Sequence, residues 1–197
     1  MNQITFLKLF FALLACALPL GAQNAAVDVD RVKFNSLRND WIQMEIELSC
    51  NGNPAPDARN DKFVEKIGVK AYIAYERDAS AGEFDYYTSE VEIVIMERND
   101  KNNVYFYLPG KIVERDRLKK EPDYYYVEIT VDGESQTPQT DAMSRNISNA
   151  EVLNSFISRA DSDGSVNEHL LMPIYLVSGT DLGRVSNLPT FLRRDNL

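Results

Sequence analysis

A strict alternation of apolar and polar residues over nine positions is the feature that most restricts how this chain can fold. The apolar members are Ile42, Met44, Ile46, Leu48 and Cys50, and every residue between them is polar. Successive side chains of a β-strand point to opposite faces, whereas an α-helix would spread this pattern around its circumference. The run therefore predicts a strand that buries one face and leaves the other in water.

Other segments show related apolar patterns and are separated by turn-forming residues. We predict further strands at 27–34, 67–75, 84–88, 90–97, 103–108, 124–131 and 170–177. In the first of these the apolar positions change phase, which predicts a β-bulge near Asp30 and Arg31. Asn51-Gly52-Asn53-Pro54 and Asp132-Gly133 are examples of the turn sequences between strands. Many short strands at this spacing indicate a β-sandwich or barrel, so the fold class is expected to be mostly β.

One helix is predicted late in the chain. Ser148 and Glu151 form a Ser-x-x-Glu capping box, and Ile147 and Val152 occupy the two positions of a hydrophobic staple. Apolar residues then recur at helical spacing, and the pattern ends near Arg159. The polar, proline-containing stretch 136–144 before the helix is expected to be a linker or surface loop inside the same domain.

The first 22 residues contain one basic residue, Lys8, and no acid, and an apolar run leads to Gly21 and Ala22. This is the pattern of a secretory signal peptide, which predicts an exported protein cleaved after Ala22. The strongly apolar part spans about ten residues, whereas a bilayer span needs roughly 20, so no membrane span is expected in the mature chain. Leu13-Leu14-Ala15-Cys16 loosely resembles a lipobox, and lipidation at Cys16 is the alternative.

Residues 23–197 are expected to form a single domain, located in the periplasm or at the cell surface. Without Lys8, 20 basic residues stand against 30 acidic ones, which gives the mature chain a net charge of −10. Binding to nucleic acid depends on clustered Lys and Arg, and this balance argues against it. One cysteine, Cys50, remains, so an intrachain disulfide is excluded and its thiol is expected to be buried.

No residue pattern identifies catalytic chemistry, and the chain is predicted not to be an enzyme. Its one histidine, His169, lies between a polar loop and an apolar strand, and no Gly-x-Ser-x-Gly elbow accompanies it. The mature chain lacks the histidines and cysteines for a zinc site, and it lacks P-loop and dinucleotide-binding glycine patterns, so no metal or cofactor is assigned. A pair of catalytic carboxylates stays an alternative, because nothing marks one pair among the 30 acids.

The run from Asp161 to Glu168 resembles a calcium-binding EF-hand loop when it is aligned on its glycine. The residues that fall on ligand positions are Asp161, Asp163 and Asn167. Arg159 and Leu170 occupy the first and twelfth positions, so two essential oxygen ligands are missing. We predict a polar turn leading out of the helix, with weak calcium binding as the alternative.

Tyrosines and one basic cluster supply the candidate contact residues. Tyrosine is favoured at protein contacts, but it is also a preferred strand residue, and its ring can stack on a sugar. The cluster from Arg115 to Lys120 is expected to be a solvated loop or helix turn, and docking of an acidic partner is the alternative. The candidate interaction residues are Tyr105, Tyr107, Arg115, Arg117, Lys119, Tyr124 and Tyr125.

Several segments carry a resemblance when they are taken in order. They are Asn39-Asp40-Trp41-Ile42, Val104-Tyr105-Phe106-Tyr107-Leu108-Pro109, Ile112-Val113-Glu114-Arg115-Asp116, Asp123-Tyr124-Tyr125-Tyr126-Val127-Glu128 and, after the late helix, Leu170-Leu171-Met172-Pro173-Ile174-Tyr175. Together they resemble a group of exported immunoglobulin-like proteins from type IV pilus-like gene clusters of Gram-negative gut bacteria. The Cys-Trp-Cys pattern of antibody domains is missing, because Trp41 precedes Cys50 and the mature chain has no second cysteine.

The resemblance implies an immunoglobulin-like β-sandwich with one appended α-helix and no known catalytic residues. It further implies a non-catalytic structural or interaction protein of a type IV pilus-like or other cell-envelope surface assembly. The expected partners are envelope or pilus-assembly proteins, or further copies of the chain. The alternative function is a periplasmic or surface carbohydrate-active enzyme or a carbohydrate-binding module.

Overall fold

A computed structural model of the chain describes residues 25–177 and 183–193. The strands in this part are β1 (Val27–Ser36), β2 (Ile42–Cys50), β3 (Phe63–Asp78), β4 (Glu83–Glu97), β5 (Lys101–Leu108), β6 (Tyr124–Val131), β7 (Glu134–Ser135), β8 (Met172–Pro173) and β9 (Phe191–Leu192). The α-helices are α1 (Gly110–Asp116) and α2 (Ala150–Asp163). The predicted signal peptide, residues 1–22, and the alternative lipidation site Cys16 lie outside the described residues.

The strands form two antiparallel sheets. The first sheet has the order β1-β2-β5-β8, and the second has the order β7-β6-β3-β4-β9. The first seven strands thus place β1-β2-β5 against β7-β6-β3-β4, which is the arrangement of an immunoglobulin-like sandwich. The predicted fold class, a mostly β sandwich with one main appended helix, is confirmed.

The core lies between the two sheets. Met44, Ile46 and Leu48 of β2 are at most 1% exposed, as the alternation in the sequence predicted. The second sheet contributes Ile73 and Val127, which are each 1% exposed. Full burial of one such side chain stabilises the fold by about 1.5–3 kcal/mol, so these inward-facing rows hold the sheets together.

The predicted bulge in β1 is present. The pairing of β1 with β2 changes register between Val29 and Arg31, and Asp30 is the extra residue. A bulge adds one residue to one strand of a pair and thereby restores the inward direction of the apolar side chains that follow. The phase change in the sequence and the shift in the register are therefore the same feature.

Two strand predictions are wrong. Residues 84–88 and 90–97 belong to one long strand, β4, because Ser89 keeps its place in the ladder opposite Ala71 of β3. The predicted strand at 170–177 is formed only as Met172–Pro173. Pro173 has no N–H to continue a ladder, and a 3₁₀ turn at Ile174–Leu176 follows it.

The main helix, α2, lies on the outer face of the second sheet. Its buried residues are Leu153, Phe156 and Ala160. They form a second apolar cluster with Tyr72, Tyr86 and Tyr126 of that sheet. The helix therefore covers part of this face of the sheet. Among the described residues, none of the helices has the length and apolar character needed to cross a membrane.

Both predicted ends of this helix need correction. The N-cap is Asn149, whose side chain accepts a hydrogen bond of 2.9 Å from the Val152 N–H, and not Ser148. The helix continues past Arg159 to Asp163, because the polar residues there remain on its solvent side. Asn and Ser cap helices about equally well, so the capping box did not distinguish the two neighbours.

A second helix, α1, joins β5 to β6 and was not predicted. Pro109 precedes it and supplies no side-chain cap, so the usual signal of a helix start is missing. The helix ends at Asp116, and the C-cap Arg117 has a left-handed backbone with φ of 55°. Of the basic residues in the cluster, Arg115 lies in the last turn of α1, and Arg117, Lys119 and Lys120 follow that helix.

Candidate protein-interaction site

The outer edge of β1 is partly closed by two glutamine side chains from the 136–144 stretch. Gln136 Oε1 accepts a hydrogen bond of 2.6 Å from the Ala26 N–H, and Gln139 Oε1 accepts one of 2.7 Å from the Val29 N–H. Both side-chain amides also donate to the carbonyl oxygen of Val27, at 3.0 and 2.9 Å. The stretch predicted as a surface loop thus satisfies backbone groups that an edge strand would leave unpaired.

The opposite side of the sandwich is partly closed by residues 183–193, which we call the C-terminal strap. The Asn103 N–H of β5 donates to the carbonyl of Asn187 at 2.9 Å. The Val94 N–H of β4 donates to the carbonyl of Thr190, also at 2.9 Å, and β9 then pairs with β4. The strap therefore contacts the edges of both sheets.

One part of the β4 edge is left uncovered. Neighbouring residues of a strand direct their backbone N–H and C=O groups to opposite sides. The carbonyl of Tyr86 is directed away from β3 and accepts a 3.1 Å hydrogen bond from the Asn167 amide. Val94 is also directed away from β3, since it donates to the strap.

Thr88 and Glu90 lie between these two residues at even spacing, so their backbone groups also point away from β3. Within residues 25–177 and 183–193, these outward N–H and C=O groups form no hydrogen bond. We call the stretch from Thr88 to Glu90 the β4 window. An unpaired strand edge of this kind is a template for another extended chain.

The window opens onto a groove of about 520 Å³, which we call the β4-edge groove. Its apolar lining consists of Val91, Leu171, Met172, Pro173, Tyr175, Leu176 and Leu192. Leu176 and Leu192 are 45% and 44% exposed, so apolar surface remains accessible beside the unpaired backbone. The same lining contains one lysine, Lys70, and three glutamates, Glu90, Glu92 and Glu168, so its charged side chains are mainly acidic.

His169 also lines this groove, with its side chain 72% exposed. Its Nε2 lies 3.6 Å from the Glu168 carboxylate. No serine, threonine or cysteine of the described chain donates a hydrogen bond to its ring. The geometry around this histidine therefore gives no assembled nucleophile and base.

Tyr105 and Tyr107, two of the predicted contact residues, are 1% and 0% exposed. The Tyr105 hydroxyl accepts a 3.2 Å hydrogen bond from the Ser186 N–H of the strap. The Tyr107 hydroxyl accepts one of 3.0 Å from the Gln43 amide, and burial raises the pKa of Tyr107. Neither ring is accessible to a partner in this arrangement, and Gln43, expected in water, is only 2% exposed.

Tyr124 and Tyr125 are half-buried and lie on opposite faces of β6. Tyr124 packs against Phe156 of α2 with a centroid distance of 5.9 Å. Tyr125 packs against Phe34 of β1 at 5.4 Å, which places it toward the other sheet. The two tyrosines therefore do not form one surface, because adjacent strand residues point apart.

The basic residues predicted for docking differ in their partners. Arg115 donates two hydrogen bonds of 2.6 Å to Asp116, and this pairing raises the pKa of Arg115. Lys119 Nζ lies 3.1 Å from the Asp123 carboxylate. Arg117 is exposed at the end of α1 and forms no hydrogen bond with other described side chains.

The segment 161–168 is not the loop that was predicted. Asp161 and Asp163 belong to the last turn of α2, and Asp161 forms an ion pair of 2.9 Å with Lys70 of β3. Asn167 binds the backbone of β4, as described above. Among the residues that the structure describes, no group of three or more His, Cys, Asp or Glu side chains can hold a metal ion.

The β4-edge groove was not predicted from the sequence. Its parts come from β4, from residues 168–176 and from the strap, and no local pattern connects these segments. One signal was available, because Thr88, Ser89 and Glu90 form the longest polar run within β4. The predicted strands 84–88 and 90–97 leave out Ser89 as a break, whereas the run is the uncovered part of one strand.

The fold and the uncovered edge define an immunoglobulin-like sandwich with a strand edge available for contact. No family model and no curated protein matches the chain by sequence. By structure it is similar to a protein from the gut bacterium Akkermansia muciniphila, with a TM-score of 0.56 and 14% identity. The match covers 85% of this chain and 93% of that chain. This likeness establishes a shared fold, while the connection to pilus-like gene clusters stays a prediction.

Proposed function

We propose that this chain is an exported, non-catalytic structural protein of a cell-envelope or type IV pilus-like surface assembly, and that it acts through protein–protein contact. The observation that carries the proposal is the β4 window, because it combines unpaired backbone groups with an accessible apolar groove. Proteins recognise extended segments by this combination, in which backbone hydrogen bonds give affinity and side-chain pockets give specificity.

The edge of β1 is less suited to this role. Beyond its bulge, β1 also lacks a partner strand on its outer side in the described part of the chain. However, Arg31 and Lys33 lie on this stretch and form ion pairs with Glu47. Bulges and lysines on an edge strand discourage the addition of another strand.

The chemistry of the groove indicates the kind of segment it accepts. Apolar residues at every second position would enter the groove, while the backbone between them pairs with Thr88 and Glu90. Glu90 and Glu168 in the groove favour basic residues in the partner, and Glu90 disfavours a second copy that brings its own Glu90 to the same edge. The proposed partner is therefore an envelope protein with an extended, apolar and basic segment.

A proline substitution tests this contact without disturbing the sheet. Thr88→Pro removes an N–H that is not used in the pairing with β3, and proline is tolerated at such edge positions. Thr88→Val is the matched control, since it changes the side chain and keeps the N–H. We expect proteins captured from an envelope fraction by the wild type to be retained by Thr88→Val and lost by Thr88→Pro. Hydrogen exchange of the 88–90 amides should slow in the captured complex.

Equal capture by both variants, with unchanged exchange at 88–90, would show that the window is not the contact. Charge reversal at Arg115, Arg117 and Lys119, and Tyr125→Ala, then test the contact residues predicted from the sequence. Turnover of a glycan or peptide that is abolished by His169→Ala would replace the proposal with an enzymatic one.

Export is part of the proposal and has its own test. The N-terminus of the protein isolated from cells is expected to begin at Gln23, and mass spectrometry of the terminal peptide measures it. A lipid-modified terminus at Cys16 would establish the lipoprotein alternative. A terminus at Met1 in the cytoplasmic fraction would contradict export.

A further inference from the structure

Helix α2 leaves a pocket of about 330 Å³ between its residues Glu151 to Arg159 and the outer face of the second sheet. Its walls include four aromatic rings, which belong to Phe84, Tyr86, Tyr124 and Phe156. The ring centroids of Phe84 and Tyr124 are 5.6 Å apart, and those of Tyr124 and Phe156 are 5.9 Å apart. These rings form one continuous aromatic wall, and Phe84 and Tyr124 keep part of their surface exposed.

The rim of this pocket is polar and is provided by one side of α2. Glu151, Ser155 and Arg159 follow each other at intervals of four residues, which places them in a row along the helix. In the described residues, the Glu151 carboxylate, the Ser155 hydroxyl and the Arg159 guanidinium have no hydrogen-bonding or ionic partner. The hydroxyls of Tyr86 and Tyr124 likewise have none there. The pocket thus offers both donors and acceptors that are not used within the fold.

We propose that this aromatic pocket binds a neutral sugar in its pyranose form. The C–H face of a pyranose packs on an aromatic ring, and its hydroxyls form an edge of donors and acceptors that matches the rim. One acid and one base at the rim leave no net charge, so a neutral ligand fits better than a charged one. A cavity of this volume lies within the range of small-ligand sites and holds one ring with a substituent.

A purely apolar occupant, such as a peptide side chain, fits the same walls but not the rim. It would remove water from the carboxylate, the guanidinium and the hydroxyls without replacing their hydrogen bonds, which is unfavourable for each group. The site lies on the helix-covered face of the second sheet, whereas the β4-edge groove includes residues of the strap. The two proposals use different residues, and either can fail while the other holds.

The test is an NMR titration of the ¹⁵N-labelled protein with separate probes. Methyl β-D-galactopyranoside and N-acetyl-D-glucosamine represent neutral pyranoses, and cyclohexanol and N-acetyl-phenylalaninamide represent apolar occupants. We expect saturable shifts at residues 84–86, 124 and 151–159 with at least one sugar, and weaker binding of both apolar probes. Tyr124→Leu should lower the affinity for the sugar by about tenfold, which corresponds to the loss of one aromatic contact.

Substitutions at exposed rim positions keep the test valid if an aromatic variant fails to fold. Glu151→Gln and Arg159→Gln should each lower the affinity for the sugar. Glu114→Gln, an exposed change on α1, should leave that affinity unchanged. The proposal is overturned if neither sugar shifts these residues, or if the rim variants leave its affinity unchanged. Tighter binding of N-acetyl-phenylalaninamide than of both sugars would also overturn it and assign the pocket to a peptide.

Discussion

The hydroxyl of Tyr87 donates a hydrogen bond of 2.6 Å to the Asp116 carboxylate, which ties the middle of β4 to the last residue of α1. Tyr87 is 0% exposed, and the side chain of Asp116 is 15% exposed. The bond therefore lies largely out of water and connects the second sheet to the segment between β5 and β6.

Tyr87→Phe is expected to lower the free energy of unfolding by about 1.5–3 kcal/mol, because it removes a hydrogen bond to a charged acceptor. Urea unfolding followed by circular dichroism measures the change. Glu114→Gln, in the exposed pair with Lys111, is the control and should change stability by less than about 0.5 kcal/mol. A loss for Tyr87→Phe no larger than that of the control would contradict the structural role of this bond.

Acid should weaken the fold through the same carboxyl group. Hydrogen bonds from Arg115 and Tyr87 hold the pKa of Asp116 below its ordinary value of 3.8. A group with a lowered folded pKa contributes stability above its unfolded pKa and loses it as the pH falls through the folded pKa. The wild type should thus exceed Asp116→Asn in stability at pH 7, and the difference should shrink below pH 3.8. A constant difference down to pH 2 would exclude this linkage.

Gly110 is expected to be the least replaceable glycine of the described chain. A Cβ at this position would lie 1.8 Å from the carbonyl oxygen of Asn39, so the backbone would have to move. Gly110→Ala should destabilise the protein by about 1–3 kcal/mol. The control is Gly164→Ala, where the nearest atom to the added Cβ is 3.6 Å away. Thermal unfolding of both variants compares them, and equal melting temperatures would refute the expectation.

The thiol of Cys50 should be unreactive in the folded protein. It is 2% exposed, lies 3.9 Å from the Met96 carbonyl oxygen, and burial raises its pKa. Cys50→Ala should lower the free energy of unfolding by about 1 kcal/mol or more, because it leaves a cavity in the core. Labelling by a thiol reagent measures accessibility in a chain that starts at Gln23, with urea-unfolded protein as the control. Labelling as fast as in urea would show that the thiol is accessible.

Strands with one buried face were predictable because their side-chain period is a direct consequence of strand geometry. Residues 42–50 and 124–131 were assigned with the bounds that the structure shows. The Leu170–Val177 prediction failed because apolar composition alone does not require a strand partner. There the chain turns after Pro173, Leu171 is part of the core, and the partly buried Tyr175 packs against it.

Most of the candidate sites could not be predicted from the sequence. Tyrosine is common both in protein cores and at contact surfaces, so the presence of a tyrosine in the sequence does not show which of the two it belongs to. Tyr105 is bound by Ser186 of the strap, and Tyr107 is packed by Gln43 and Trp41. No local sequence pattern predicts these contacts. The aromatic pocket brings together Phe84 of β4, Tyr124 of β6 and Phe156 of α2, and this proximity exists only after the sheet pairs and the helix docks.

The C-terminal strap also determines the order in which the sandwich can be completed. Asn102 and Asn187 are hydrogen-bonded although 85 residues separate them in the chain. During synthesis, β4 and β5 therefore emerge well before the segment that pairs with parts of their edges. Until that segment arrives, backbone groups on both edges are unpaired and can pair with another chain. Closing a contact over so long a loop is slow compared with the pairing of neighbouring strands. Closure of these edge positions therefore depends on a segment made 85 residues later, whereas the β4 window stays open in the completed sandwich.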